Sequence, residues 1–275
     1  MLNMTSPILI TNGTGKTGRR VAARLQERGV PVRIGSRGGT PPFDWEARST
    51  WAPALDGTRA AYVSFFPDLA VPGAPEAIAE LARVALAGGT RRLVLLSGRG
   101  EPEAQRSEQE LIAAGTEWTV VRCSWFAQNF SEGHFLEPVL AGELALPVDG
   151  VLEPFVDVED VADVAAAALI EDGHDGEVYE LTGPRLLTFA DAAGEIGAAA
   201  GRSVRFAPVT EREFADGLAH HGAPADVISL LRYLFTVVLD GRNASLADGV
   251  QRALGRPPRD FREYATAAAA AGAWR

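Results

Sequence analysis

The sequence predicts an α/β protein built on a doubly wound parallel sheet, with a smaller, mostly helical lobe on its C-terminal side. Three observations carry this expectation. Over the first two thirds of the 275 residues, short apolar runs alternate with helical stretches, as parallel strands do with their crossover helices. The first run leads directly into a glycine-rich turn that opens a helix. Beyond Pro184 the patterns are helical, interrupted by one short strand-like run over Val204 to Pro208.

The elements follow in order. Pro7 to Thr11 reads as a buried strand, and Thr17 to Arg28 as a helix with Val21, Leu25 and the alanines on one face. Val32 to Gly35 and Arg59 to Phe66 read as strands. Ala74 to Leu86 is a helix stopped by Gly88-Gly89. Arg92 to Ser97 is almost unbroken in its apolar character, which places it centrally in the sheet. A helix over Glu103 to Ala114, a strand over Trp118 to Arg122, a helix over Val158 to Ile170 and a strand over Glu177 to Thr182 complete this part. Helical patterns then cover about 188–200, 210–221, 224–239, 245–254 and 261–270. These divisions predict a nucleotide-binding domain over 1–184, with a substrate-facing segment about 124–155, and a helical substrate lobe over 185–275. A helical cap of this kind is a common place for a substrate site, over the carboxyl ends of the strands.

Composition narrows the function classes. Apolar residues make up 47% of the chain, enough for a sizeable core. A formal charge of -10 repels nucleic acid and anionic membranes, so a small-molecule substrate is the expected partner of a monomer or homodimer. One cysteine, Cys123, allows neither an intrachain disulfide nor a cysteine metal site. His220 and His221, adjacent on a helix, point in different directions, so no metal pair is expected. No apolar run reaches the ~18–20 residues that span a bilayer. The start, Met1 to Thr5, lacks a basic or apolar leader pattern, and the expected location is the cytoplasm.

The strongest motif is Thr11-Asn12-Gly13-Thr14-Gly15-Lys16-Thr17-Gly18. Gly13, Gly15 and Gly18 have the spacing of the dinucleotide fingerprint in its strand–turn–helix setting. Glycine is required where the turn is too tight for a Cβ and where backbone must touch a pyrophosphate. The helix N-terminus supplies unpaired N–H groups and a positive dipole end. These features predict a Rossmann-type nucleotide site. Gly15-Lys16-Thr17 also suggests a P-loop, but the glycine that motif needs five residues before Gly15 is Ile10, so an ATPase or GTPase is excluded. An NAD site has an acid at the end of the second strand; here the strand runs into Ser36 and Arg37, which suit a 2′-phosphate. The expected cofactor is NADP(H).

Together with this turn, the spans Gly35-Ser36-Arg37, Phe43-Asp44-Trp45, Leu93 to Ser97, Ser124 to Glu132, Leu181 to Thr188 and Gly255 to Phe261 resemble the NmrA-like atypical short-chain dehydrogenases. The likeness is greatest to the branch with ergot-alkaloid dehydrogenases of the agroclavine and festuclavine type. The resemblance implies NADP(H) preference, with Asp44 and Trp45 beside the adenine and Phe65, Phe66 and Pro67 along the cofactor. Asn12 stands where the family usually has a glycine; asparagine tolerates unusual backbone angles, so a working turn is still expected.

Ordinary members of the wider superfamily use a Tyr-x-x-x-Lys pair to supply a proton. The helix from Glu103 has no tyrosine, and Lys16 is the sole lysine of the chain. Ser97, at the family's usual serine position, has no base in sequence and is expected to touch nicotinamide or substrate, or only to end its strand. Reduction of an iminium needs no proton, and quinones and enones give stabilised anions, so these acceptors are expected over simple ketones. Trp125, Phe126, Asn129 and Phe130 are expected to wall a flat substrate, with two or three of them alternatively in the core. Glu132 and His134 are the nearest titratable residues, read chiefly as solvated. Two functions remain open at this point: a hydride-transferring reductase, or a redox sensor that binds NADP(H) without turnover.

Overall fold

The computed structural model describes residues 6–275, so the reading of Met1 to Thr5 lies outside the described residues. In chain order the elements are β1 (Ile8–Thr11), α1 (Gly18–Glu27), β2 (Val32–Gly35), α2 (Trp51–Leu55), β3 (Ala60–Val63), α3 (Ala74–Ala87), β4 (Arg92–Gly98), α4 (Pro102–Ala113) and β5 (Glu117–Cys123). They continue with α5 (Asn129–Glu132), α6 (Leu136–Ala141), β6 (Glu143–Leu146), α7 (Val158–Ile170), β7 (Glu177–Leu181), α8 (Phe189–Ala200) and β8 (Arg205–Pro208). The last are α9 (Glu211–His220), α10 (Ala225–Tyr233), α11 (Gly249–Leu254) and α12 (Phe261–Ala270).

Six strands form one sheet in the order β2-β1-β3-β4-β5-β7, every pair parallel. This is the doubly wound arrangement the alternation predicts, with β4 internal. β1 and β3 are buried along their whole length, which is why they read as continuous apolar runs. α1 buries Val21, Ala22 and Leu25 and turns Arg20 and Arg24 toward α7. There Arg20 meets Glu159 at 2.6 Å, and Arg24 meets Glu159 at 2.5 Å and Asp163 at 2.7 Å. The Asp163 hydrogen bond, against the cost of burial, holds the Arg24 guanidinium above its ordinary pKa.

The chain divides into two units. One holds the described residues through Cys123 together with Val158–Leu181 and Asp248–Arg256. Its core packs Leu9, Phe43, Trp51, Ile78, Leu81 and Leu95 with their neighbours. The other holds Ser124–Asp157, Thr182–Ala247 and Pro257–Arg275. Its core is aromatic: Phe130, with no exposed surface, lies 5.1 Å from Phe135, 5.6 Å from Phe155 and 5.7 Å from Phe261 between ring centroids. Both units are discontinuous, whereas the sequence reading drew a single boundary after residue 184.

Several elements differ from expectation. The third strand ends at Val63, short of Phe66. Beyond it, the Thr11 hydroxyl accepts from the Ser64 N–H at 2.8 Å, a side-chain bond where a ladder would place backbone. The second unit is less purely helical than expected, because β8 pairs in parallel with β6, which lacks a strong sequence signal. The helix expected over 224–239 changes after Tyr233 into a π turn, Leu234–Val238. The one expected from Ser245 starts at Gly249. Among the described residues no helix is long and apolar enough to cross a membrane.

The start of α8 is held by a reciprocal cap. The Thr188 hydroxyl accepts from the Asp191 N–H at 3.0 Å, and the Asp191 carboxylate accepts from the Thr188 N–H at 2.9 Å. The hydrogen bond from the Thr188 hydroxyl keeps the Asp191 carboxyl below its ordinary pKa. Thr188→Ala is expected to lower unfolding free energy by about 1 kcal/mol in urea titration. A carboxyl with a depressed folded-state pKa lends stability that is present above its unfolded pKa and lost as pH falls through the folded one. The variant therefore loses stability less steeply than the parent on acidification below the ordinary aspartate range.

Candidate functional site

The turn from β1 to α1 is crowded on its inner side. Asn12 adopts φ 50°, the left-handed region that asparagine enters more readily than most residues. A Cβ at Gly13 would come within 2.8 Å of the Ile10 carbonyl oxygen and 2.9 Å of the Ile34 side chain. One at Gly18 would collide with the Asn12 carbonyl. A Cβ at Gly15 would come within 2.9 Å of the Asn12 side-chain amide. The Gly13 N–H donates to the Gly35 carbonyl at 3.1 Å, and the Gly15 N–H to Asn12 at 2.9 Å. α1 has neither a side-chain cap at Thr17 nor an acid in its first turn. Its N-terminal amides and dipole thus have no anion of their own, as a pyrophosphate site requires. Thr14 is exposed, and Lys16 is half-buried with its carbonyl accepting from Arg20 at 2.9 Å.

Next to this turn, β2 runs into Ser36 and Arg37. The Ser36 carbonyl accepts from the N–H groups of Gly39 and Phe43 at 3.0 and 2.9 Å, closing the loop. Arg37 is exposed, and no carboxylate of the described residues pairs with it. On the other side of β1, the end of β3 carries an aromatic group. Trp45 donates its indole N–H to the Ser64 carbonyl at 3.1 Å and packs against Phe43, Trp51 and Phe65, with the Phe65 ring 4.8 Å away. The Asp44 carbonyl accepts from the Trp51 indole at 2.7 Å. Phe66 is 61% exposed and Pro67 is exposed beside it. The carboxyl ends of β2, β1 and β3 therefore bring together Asn12 to Gly18, Ser36, Arg37, Asp44, Trp45 and Phe65 to Pro67.

Ser97, near the end of β4, has a partner that the sequence did not reveal. Its hydroxyl donates at 2.5 Å to Glu108 of α4, itself buried. Arg122, opposite Ser97 in the β4–β5 register, grips Glu108 with two bonds of 2.9 and 2.5 Å and reaches Glu180 of β7 at 2.7 Å. Glu108 holds the Arg122 guanidinium well above its ordinary pKa. The sequence signals were an arginine next to the apolar Val120-Val121 pair of β5 and a glutamate on the inner face of α4. Asp68 and Glu101, unremarked in the sequence, follow β3 and β4 respectively, with Glu101 just before α4. Cys123, the last residue of β5, is buried, and burial pushes its thiol pKa up.

In the second unit, the stretch from Ser124 is held against 153–156. The Trp125 N–H donates to Glu153 at 3.2 Å, the Val156 N–H to the Trp125 carbonyl at 2.9 Å, and the Ala127 N–H to the Val156 carbonyl at 2.9 Å. The Trp125 ring lies parallel to Phe135 and 5.0 Å from Phe235. Trp125, Phe126 and Asn129 are half-buried, whereas Phe130 is wholly inside the core. Glu132, His134, His220 and His221 are exposed. Among the described residues no group of histidine, cysteine and acidic side chains could hold a metal ion.

No family model matches the chain. It is 33% identical to an uncharacterized oxidoreductase, YesF, of Bacillus subtilis, an alignment covering 96% of each protein. It is 30% identical to agroclavine dehydrogenase of Claviceps fusiformis, over 94% of this chain and 95% of that one. Its structure superposes with a TM-score of 0.79 on an NADPH-dependent quinone oxidoreductase of Escherichia coli solved with NADPH, at 20% identity over 94% of this chain and 99% of the other.

Phe130→Ala is expected to cost about 3–5 kcal/mol, because the ring is fully buried against four other aromatic residues. The measurement is a lower urea midpoint with an unchanged slope.

Proposed function

The chain belongs to the NmrA-like atypical short-chain dehydrogenase/reductase family, and from that membership we propose that it is an NADP(H)-dependent oxidoreductase. Its acceptor is a small organic electrophile of the iminium, quinone or enone type. The observation that carries this reading is the β1–α1 turn, where Gly13 and Gly18 admit no side chain and α1 begins without a cap or an acid of its own. Bound there, the cofactor supplies a hydride. The chain's part is to hold, select and orient.

Each role falls to residues at the strand ends. The amides of Asn12 to Gly18 hold the pyrophosphate. Ser36 donates a hydrogen bond to the 2′-phosphate, and the unpaired guanidinium of Arg37 pairs with it. Trp45 and Phe65, fixed by the Ser64 carbonyl and by each other, present a rigid aromatic face for the adenine side. Phe66 and Pro67 continue that surface along the cofactor. Ser97 contributes position, since its proton is committed to Glu108 and its remaining lone pairs can only accept. Trp125, Phe126 and Asn129 wall the substrate, with Phe130 supporting them from the core. α4 supplies no tyrosine, which favours acceptors whose reduction does not pass through a localised alkoxide.

Two outcomes test this reading. Pure protein is expected to oxidise NADPH with at least one member of a panel of cyclic iminium ions, quinones and enones. Tight cofactor binding without turnover on any of them would replace the reductase with a sensor. Arg37→Asp is expected to weaken NADPH binding about tenfold or more while changing NADH binding little, because a charge-assisted bond to phosphate contributes roughly 1.5–3 kcal/mol. Equal losses in calorimetry would show that Arg37 does not select the cofactor.

A further inference from the structure

The β1–α1 turn carries a chemical reactivity that holding a cofactor does not use. Asn12 and Gly13 form the sole Asn-Gly step of the chain; the other asparagines precede methionine, phenylalanine and alanine. An asparagine before glycine is the pair most open to intramolecular attack, because the next amide nitrogen has no side chain beside it to shield it. The fold calls for this pair. Gly13 can bear no Cβ next to the Ile10 carbonyl, and φ 50° at position 12 favours asparagine or glycine. In the closed turn both reacting groups are constrained. The Gly13 N–H, the prospective nucleophile, donates to the Gly35 carbonyl at 3.1 Å. The Asn12 carboxamide lies along the turn, with its nitrogen and oxygen each 2.9 Å from where a Gly15 Cβ would stand. The Asn12 carbonyl accepts from the Gly15 N–H at 2.9 Å and fixes the backbone between them. Attack therefore requires a local opening that releases Gly13 from β2 and lets the carboxamide turn away from Gly15.

We propose that Asn12 is a modification site: it deamidates when the turn opens, and a bound dinucleotide keeps the turn closed. This rests on the reading of the turn as the cofactor's pyrophosphate site. The Gly13 nitrogen gives up its proton to solvent and bonds to the Asn12 Cγ. The Cγ–Nδ2 bond breaks, and ammonia leaves with a proton taken back from solvent, which closes a succinimide ring. Water then adds to one of the two ring carbonyls. Opening on one side leaves aspartate at position 12; opening on the other leaves isoaspartate. One water enters and one ammonia departs, and no oxidant or reductant is involved. Both products damage the site. Each places a carboxylate where the amides at the start of α1 are poised for an anion. The isoaspartyl form also lengthens the main chain by one atom, at a place where the Asn12 carbonyl already leaves no room for a Cβ at Gly18. Protein standing without cofactor loses its site at the pace of turn opening, whereas loaded protein is spared.

The test incubates the full-length protein at mildly alkaline pH, with and without NADPH, and follows the peptide that contains Asn12 by mass spectrometry. Without cofactor, Asn12 is expected to show the mass gain of NH replaced by O, ahead of Asn129 and Asn243, and the protein to become a substrate for an isoaspartyl methyltransferase. NADPH at about 100 times its Kd is expected to slow this about 100-fold, because only the unliganded, open turn reacts. Calorimetry on the aged protein should find a binding-competent fraction that falls in step with the modification. Asn12→Asp is expected to bind NADPH about tenfold more weakly or worse, since it sets an anion beside the pyrophosphate. Asn12→Gly has no carboxamide to lose and is expected to keep its own starting affinity through the same incubation, which separates deamidation from general ageing. Reaction at Asn12 no faster than at Asn129 and Asn243, or as fast with cofactor demonstrably bound, overturns the proposal and leaves the NADP(H) reading intact. Fresh protein that binds no NADPH overturns both.

Discussion

Backbone packed against backbone at the end of β1 sets the geometry on which the rest of the site depends. The Asn12 carbonyl lies so near the start of α1 that Gly18 can carry no Cβ, and the Ile10 carbonyl and Ile34 side chain impose the same limit at Gly13. The helix axis is thus aimed past the turn, with its first amides directed outward. The neighbouring strands are tied to the same place. Thr11 spends its hydroxyl on the backbone at the end of β3, and Gly13 donates to the last residue of β2. The loops that carry Arg37 and Phe66 therefore leave the sheet from points fixed to within a hydrogen-bond length.

A second constraint is electrostatic. Along β4, α4, β5 and β7 the charges alternate: Glu108 binds Arg122, Arg122 binds Glu180, and Glu180 binds Arg99 at 3.3 Å. Glu108 is buried, and a carboxylate in such a position is tolerable because Arg122 satisfies it with a bidentate fork and Ser97 adds a third bond. The same arrangement explains why Ser97 is not an activated hydroxyl. It is one more donor to an already paired carboxylate, and what it offers a ligand is a fixed lone pair.

The legibility of these features in the sequence follows their range. β1, α1, β4 and α7 were readable because burial on one or both faces writes a period into the residues themselves, and the turn at Asn12 to Gly18 was readable because steric exclusion demands glycine. β6 was not, since its four residues gain their strand character only by pairing with β8, some sixty residues on. The division into two units was not either, because the chain passes back and forth between them after Cys123, Asp157, Leu181, Ala247 and Arg256 without any change in composition. Trp125, Phe126 and Phe130 lie within six residues of one another, and only the packing separates the fully buried Phe130 from the half-buried other two. Glu108 looks like any other glutamate of α4 in the sequence, and only Arg122 on β5 and Ser97 on β4 reveal it as a buried, paired carboxylate.

The lone thiol has a consequence for the reductase proposed above, whose acceptors would include conjugated electrophiles. Quinones and enones alkylate thiolates by Michael addition, and an enzyme that concentrates them is exposed to inactivation by its own substrates. Cys123 is 5% exposed at the end of β5, and burial keeps it in the unreactive thiol form. Lys16 is the sole lysine amine, and arginine, whose guanidinium stays protonated and is a poor nucleophile, supplies the other side-chain cations. With its one thiol buried and a single lysine, the chain offers such electrophiles few cysteine or lysine sites for covalent capture.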